Sequence, residues 1–295
     1  MSIEEKIPAT VHMISGCQDS QTSADVSNVA EFRLPDPQGR AGGACTAAIL
    51  KTLYAEEQAP TNDLSYVEVL MSMRETLSQG DYTQIPQLTS SRPMDVNTPF
   101  TLVPEECTGT KRALLIGINY VGQNGELSGC HNDVYNMKNY IMNVWGFEEE
   151  NIKILLDDGE HADPTRDNIL NGYKTLVNES ESGDAVFCHY SGHGGRLRDN
   201  DGDEEDGYDE TLVPLDYGSA GQIRDDDLFK VLVGAMPRGV NLTCLMDCCH
   251  SGTVLDLPYK FKADGESDEM QLDEGFDMDA LPTGGAVAGG WCVIF

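Results

Sequence analysis

Four short apolar runs, each flanked by polar residues or glycine, stand out along the chain: RALLIGINY at 112–120, NIKILLD at 151–157, DAVFCHYSG at 184–192 and VNLTCLMDCC at 240–249. Unbroken apolar runs of this length predict strands buried on both faces. Between them lie segments with apolar residues at helical spacing, NDVYNMKNYIMNVWG at 132–146, TRDNILNGYKTLVNE at 165–179 and DDLFKVLVGAM at 226–236. Alternating strands and helices predict an α/β fold, a mostly parallel sheet with helices on both faces. In such sheets chemistry gathers at the carboxyl ends of the strands.

The first hundred residues pattern differently. TVHMISG at 10–16 and TPFTLV at 98–103 read as strands, 42–57 and 65–79 as amphipathic helices, and Pro35, Pro37, Gly39, Gly42 and Gly43 mark a loop. A boundary at 104–111 separates an N-terminal part, 1–104, from a larger part, 111–260. The remainder, 261–295, is acidic and contains glycine, the composition of a flexible tail.

Charge and cysteine content narrow the function. With 50 acidic against 19 basic residues the formal charge is −31, which disfavours nucleic acid and anionic membrane as partners and favours basic ligands and divalent cations. Nine cysteines, an odd number without a CxxC pair, point to reduced thiols rather than a disulfide scaffold. No apolar run reaches the roughly 18 residues of a spanning helix, and MSIEEKIPATVHM lacks the regions of a signal peptide. A cytoplasmic location is expected.

NLTCLMDCCHSG, residues 241–252, carries three cysteines and a histidine. Such a run can be a metal site, a disulfide, a buried strand end or a nucleophile. Alternation places Cys244, Met246 and Cys248 on one strand face and Leu245, Asp247 and Cys249 on the other, just before the chain turns. Cys249 is then the exposed thiol, and Cys248 a small buried hydrophobe. His193 ends another predicted strand within YSGHGG. If the two strands are parallel neighbours, imidazole and thiol meet at one rim, where the imidazole can activate the thiol for acyl transfer and then protonate the leaving amine. Amides of the glycine-flanked loop could stabilise the oxyanion.

YSGHGG with DCCHSG, preceded by ALLIGINY and SGCHND, closely resembles the metacaspases, caspase-fold cysteine peptidases. ISGCQDSQTSAD at 14–25, with SYVEVLMSMRETL and YTQIPQLTSS, resembles the family's small-subunit-like part, which here precedes the large part. That order resembles the rearranged third type. The resemblance implies a caspase-like fold and a dyad of His193 and Cys249. It implies cleavage after Arg or Lys in protein or peptide substrates, with Asp133, Ser191 and Asp247 as the acidic pocket. Asp133 also suits a helix N-terminus.

The run DNDGDEEDGYDE at 199–210 imitates an EF-hand loop but places Glu204 where Gly belongs and Asp206 where an apolar residue belongs. The family resemblance instead implies calcium held by Asp209, Asp225, Asp226 and Asp256; a solvated acidic loop is the alternative. Independently of any family, Cys188 precedes His193 by five positions and Cys244 precedes Cys249 by five. Equal setback on neighbouring strands puts the two thiols at one depth, as a redox switch needs; two buried hydrophobes are the alternative. The terminal CVIF fits a prenylation box at Cys292, the one route to a membrane, or an edge strand. Lys260, Lys262, Arg33 and Arg40 are conceivable self-cleavage sites. A monomer is expected, since so acidic a surface gives no sign of the edge pairing of caspases. The rival functions are a catalytically silent calcium-binding regulator of the same fold and a purely redox-sensing module.

Overall fold

Alternation of apolar and polar blocks becomes a sheet whose central strands are buried end to end. The structure, a computed structural model, describes residues 2–16, 25–26, 42–54, 64–80, 85–198, 207–248, 252–265, 267, 269–273, 276, 278 and 281. The N-terminal part contributes α1 (Ile3–Lys6), β1 (Thr10–Ser15), β2 (Asp25–Val26), β3 (Gly42–Gly43), α2 (Ala44–Tyr54), α3 (Tyr66–Gln79) and β4 (Gln87–Ser90). The larger part begins with β5 (Lys111–Gly117), α4 (Cys130–Trp145), β6 (Ile152–Leu156), α5 (Arg166–Glu179) and β7 (Ala185–Ser191). It continues through β8 (Gly194–Arg198), β9 (Tyr208–Leu212), α6 (Tyr217–Ala220), β10 (Ile223–Arg224), α7 (Asp225–Leu228), β11 (Asn241–Asp247), β12 (Tyr259–Lys262) and β13 (Gln271–Leu272).

Among the described residues the main sheet has eight strands in the order β13-β12-β4-β1-β11-β7-β5-β6. From β1 to β6 neighbouring strands run parallel, while β4, β12 and β13 pair antiparallel. All seven residues of β7 and all seven of β11 are buried, because helices cover both faces. Val186, Cys188, Tyr190, Leu242, Cys244 and Met246 pack on the face of α5. Phe187 and Leu245 pack on the opposite face, with α2, α3 and α4. Cys248 falls on the α5 face, fully buried, as alternation requires.

Local chemistry sets the helix ends. Ser65 opens α3 by accepting the Glu68 N–H, while Glu68 accepts the Ser65 N–H at 2.7 Å, a reciprocal cap. Gly146 closes α4 at φ +67°, a left-handed turn that glycine adopts without strain.

Three elements differ from the sequence pattern. TPFTLV is not a strand: Pro99 has no N–H for a ladder, and Phe100 and Leu102 serve as buried plugs. The strand is instead QLTS, paired to both β1 and β12. The helix expected at 226–236 is the short α7 followed by a π-helical turn at Phe229–Val233. Finally, the described part of the acidic tail is tied down. β13 pairs with β12, and Lys6 donates to the carbonyls of Met278 and Leu281.

Candidate active site

Strands β7 and β11 lie side by side and parallel, with Ser191 opposite Asp247 and the Gly192 N–H on the Asp247 carbonyl at 3.4 Å. The chain therefore leaves both strands from the same rim. His193 follows Ser191 by two positions, and Cys249 follows Asp247 by two. Cys249 itself lies outside the described residues.

His193 joins β7 to the small sheet β10-β9-β8 and is half-buried. Its Nε2 sits 2.6 Å from the Gly125 carbonyl oxygen. A carbonyl only accepts, so in the neutral ring Nε2 carries the proton and the lone pair is on Nδ1. The Gly125 loop is itself fixed. Asp157 Oδ1 accepts the Asn119 N–H at 2.8 Å and His131 Nε2 at 2.6 Å, and Oδ2 accepts the Val121 N–H at 3.2 Å. Burial works to raise the Asp157 pKa, but these donors outweigh it and hold the carboxyl below its ordinary value.

Asp133, Ser191 and Asp247, drawn from α4, β7 and β11, converge on the face of α2. The Ser191 hydroxyl donates to Asp133 Oδ2 at 2.6 Å. Both carboxylates are buried, and both are met by backbone amides from the start of α2: Gly43 N–H on Asp133 Oδ2 at 2.8 Å, and Thr46 N–H on Asp247 Oδ2 at 2.7 Å. A helix N-terminus offers free N–H groups and a positive dipole end, which is why two acids can be buried there. The Thr46 hydroxyl also lies 3.1 Å from Nε2 of His189, a fully buried imidazole whose pKa burial lowers to about 3.

The residues implied to hold calcium sit on β9, on α7 and in the turn after β11, elements that touch one another without forming a closed site. Arg224 pairs with Asp209, Lys230 with Asp226 at 2.9 Å, and Asp225 Oδ2 accepts the Glu210 N–H at 2.7 Å. Asp256 sits in the turn after the Cys249 segment, at φ +48°, and Thr253 in that turn donates to Glu210 at 2.9 Å. Among the described residues no three acids or other metal-binding side chains converge. Asp209 Oδ1 is nonetheless buried without a hydrogen-bond partner.

Cys188 and Cys244 are direct partners across β7 and β11 and are fully buried free thiols. Burial, and then the neighbouring Cys244 sulfur, push the Cys188 thiol well up. Acids 199–206, Arg33, Arg40 and Cys292 fall outside the described residues. Gly43, Thr46 and the Gly125 carbonyl carry no sequence signal for their places here: two act through backbone amides and one through a backbone oxygen.

Residues 111–258 match the metacaspase, peptidase C14 domain, and residues 2–97 match the caspase domain. "Metacaspase III c" of Phaeodactylum tricornutum is 60% identical over 279 residues, covering 94% of this chain and 83% of that protein. "Metacaspase-1" of Sclerotinia sclerotiorum is 48% identical over 168 residues, and "Metacaspase-1" of Pyricularia oryzae 48% over 169. The chain spans 39% and 43% of the length of those fungal relatives. Among the described residues no helix is long and apolar enough to cross a membrane.

Proposed function

The chain belongs to the metacaspase family of cysteine peptidases, with its caspase-domain match ahead of the metacaspase match, and from that premise we propose that it cleaves after Arg or Lys through Cys249 and His193. The observation that carries the dyad is the Ser191–Asp247 register, from which both residues leave one rim. With Nε2 held by Gly125, His193 takes the thiol proton at Nδ1, and the Cys249 thiolate attacks the scissile carbonyl. The imidazolium then protonates the leaving amine, and water, deprotonated by His193, releases the acyl group. Specificity for a cation rests on Asp133 and Asp247, two buried carboxylates, the first of which also accepts the Ser191 hydroxyl.

Calcium dependence is part of the same reading. Asp209, Asp225, Asp226 and Asp256 would hold the ion. Oxygen donors suit a hard cation, and the orphaned Asp209 Oδ1 is an acceptor in want of a partner. When bound, calcium supplies charge neutralisation for carboxylates that otherwise repel. Arg224, now on Asp209, is the residue that would have to yield.

Redox regulation rests on Cys188 and Cys244. Paired positions on neighbouring strands lie about 4.8 Å apart, inside the roughly 4.4–6.8 Å window of a disulfide. Oxidation by a peroxide would join the two sulfurs, release both thiol hydrogens and leave water and an alcohol, or two waters. An activity profile unchanged across a redox titration in Cys188→Ser would count against the switch.

We place the protein's partners among proteins and peptides bearing Arg or Lys, not nucleic acids, because of its charge of −31. A monomer is the reading the acidic surface favours, and of the two sheet edges β13 is only two residues long among the described residues. A reducing, cytoplasmic setting suits the free thiols of Cys188 and Cys244. The deciding assay is hydrolysis of Arg-, Lys- and Asp-terminated reporter peptides, with and without calcium, by wild type and Cys249→Ala under reducing conditions. Turnover of the Asp reporter alone would overturn the pocket. No turnover at all would favour the silent regulator.

A further inference from the structure

We infer that Tyr120 and Tyr190 are positioning residues for His193, gripping its backbone from both sides while the Tyr120 ring backs the imidazole. The inference rests on the reading of His193 as the dyad base.

The geometry is a closed set of hydrogen bonds. The His193 N–H donates to Tyr120 Oη at 3.0 Å, and Tyr120 Oη donates onward to the Val213 carbonyl at 2.6 Å. Tyr190 Oη donates to the His193 carbonyl at 2.8 Å, with the Val213 carbonyl also near at 3.2 Å. The Val213 N–H returns to the His193 carbonyl at 3.2 Å. Both amide groups of one residue are thus anchored to two phenols and to the chain leaving β9. The Tyr120 and His193 rings lie 4.7 Å apart at 34°.

Three further observations separate this from ordinary packing. Tyr120 has φ +53°, a left-handed conformation that a bulky residue rarely adopts. Gly122 and Gly125 in the same loop also have positive φ, at no steric cost. Glycine at 120 would relieve the backbone, yet it would strip His193 of a hydrogen bond and a ring contact. Second, the space beneath the histidine is kept open for the hydroxyls. A Cβ at Gly192 would come 3.0 Å from Tyr190 Oη and 3.2 Å from Tyr120 Oη. Third, both phenols are almost wholly buried, and burial drives their pKa upward, so they stay protonated donors wherever the peptidase works.

The consequence is a rigid base. The loop holding Tyr120 also carries Gly125, whose carbonyl fixes Nε2, and the Gln123 N–H closes the loop on the Tyr120 carbonyl at 2.9 Å. One loop therefore sets the ring's face and its edge, and Tyr190 sets the height of the backbone. Displacing a reacting group by about 1 Å can cost on the order of a hundredfold in rate.

The test compares Tyr120→Phe, Tyr120→Leu, Tyr190→Phe and His193→Ala in the full chain. kcat is normalised to sites titrated with an irreversible peptidyl thiol label. Tyr120→Phe keeps the ring and should lower kcat per titrated site by roughly tenfold to a hundredfold with KM within about twofold. Tyr120→Leu, losing ring and hydroxyl, should be slower than Tyr120→Phe, so that the conservative variant is a partial rescue. Tyr190→Phe should show the same kcat-selective loss. A purely structural role would lower the titrated fraction or the melting temperature and leave kcat per site unchanged, which overturns the inference. If Tyr120→Phe does not fold, Tyr190→Phe decides by the same split. His193→Ala with full turnover would sink the dyad reading; its loss of turnover beside unaltered tyrosine variants would sink only the brace.

Discussion

Gly43→Ala is a small perturbation at a crowded point. The added methyl would lie 2.7 Å from Asp247 Cγ and 2.9 Å from Asp133 Oδ2, and nearer still to Asp247 Oδ2. Gly43 has no positive φ, so the cost is contact rather than backbone strain. Neither acid can retreat cheaply, since both are buried and their carboxylates already hold the amides of Gly43 and Thr46 and the Ser191 hydroxyl. Overpacking costs about 1–3 kcal/mol, and losing one hydrogen bond to a charged group about 1.5–3 kcal/mol. Together they predict a loss of about 2.5–6 kcal/mol in urea unfolding. The Arg reporter should also show a raised KM, because the displaced carboxylates are those proposed to receive the cation. Gly218→Ala is the control: nothing lies within 4 Å of its added methyl, and stability should change little or rise. A loss below about 1 kcal/mol for Gly43→Ala, with KM unchanged, would show that the start of α2 does not press on the acid pair.

Two other predictions follow from groups held inside the fold. His12 and His189 are neutral in the folded chain, burial lowering their pKa to about 4 and about 3. An unfolded imidazole takes its proton near 6.5. Stability should be complete above about pH 6.5 and fall toward the folded pKa values, by on the order of 5 kcal/mol for the pair at pH 4.5. Urea unfolding at pH 7 and 4.5 checks this, and His189→Gln should flatten the slope. Asp157→Asn, which weakens the anchoring of the loop beneath His193, should reduce kcat by about tenfold with little change in KM. A KM-dominated loss in steady-state assays would assign Asp157 to substrate binding instead.

What the sequence displays is what burial writes into it. β5, β7 and β11 are covered on both faces, so they read as apolar runs, and equal setback from two paired strand ends sufficed to align Cys188 with Cys244. β4 leaves no such mark. Its four residues, Gln87 to Ser90, are largely polar yet buried, because β1 and β12 flank them and satisfy their backbone. The trio of Asp133, Ser191 and Asp247 was legible through the family resemblance, but not the amides that hold its carboxylates. Thr46 is 201 positions from Asp247 in sequence and acts through its amide, which every residue but proline possesses. Tyr120 read as the end of a strand, whereas β5 stops at Gly117; its left-handed backbone, which turns the ring onto His193, has no local sequence cause.

The rearranged order of the two parts has a consequence for maturation. β4 runs antiparallel to β1 and so ends at the rim opposite the dyad, where β5 begins. The connection between the parts, 91–110, therefore starts and finishes at the far ends of the strands, roughly 20 Å from His193 at about 3.3 Å per residue of β7. Its one basic residue and the two that open β5 are also engaged. Arg92 donates to the Ile7 carbonyl at 2.6 Å, and at the start of β5 Lys111 donates to the Trp145 carbonyl at 2.6 Å, while Arg112 pairs with Asp184. Lys260 and Lys262 are held within β12, between β4 and β13, and Lys260 pairs with Asp273. A peptidase needs an extended, unpaired segment across its cleft, and ladder hydrogen bonds deny it one here. The single chain should therefore be active without cleavage after Arg92, Lys111, Arg112, Lys260 or Lys262. N-terminal sequencing and mass spectrometry of the active protein, titrated for active sites, test this. If every titratable site resides in a chain cut at one of these positions, the separation inferred from the strand directions is wrong.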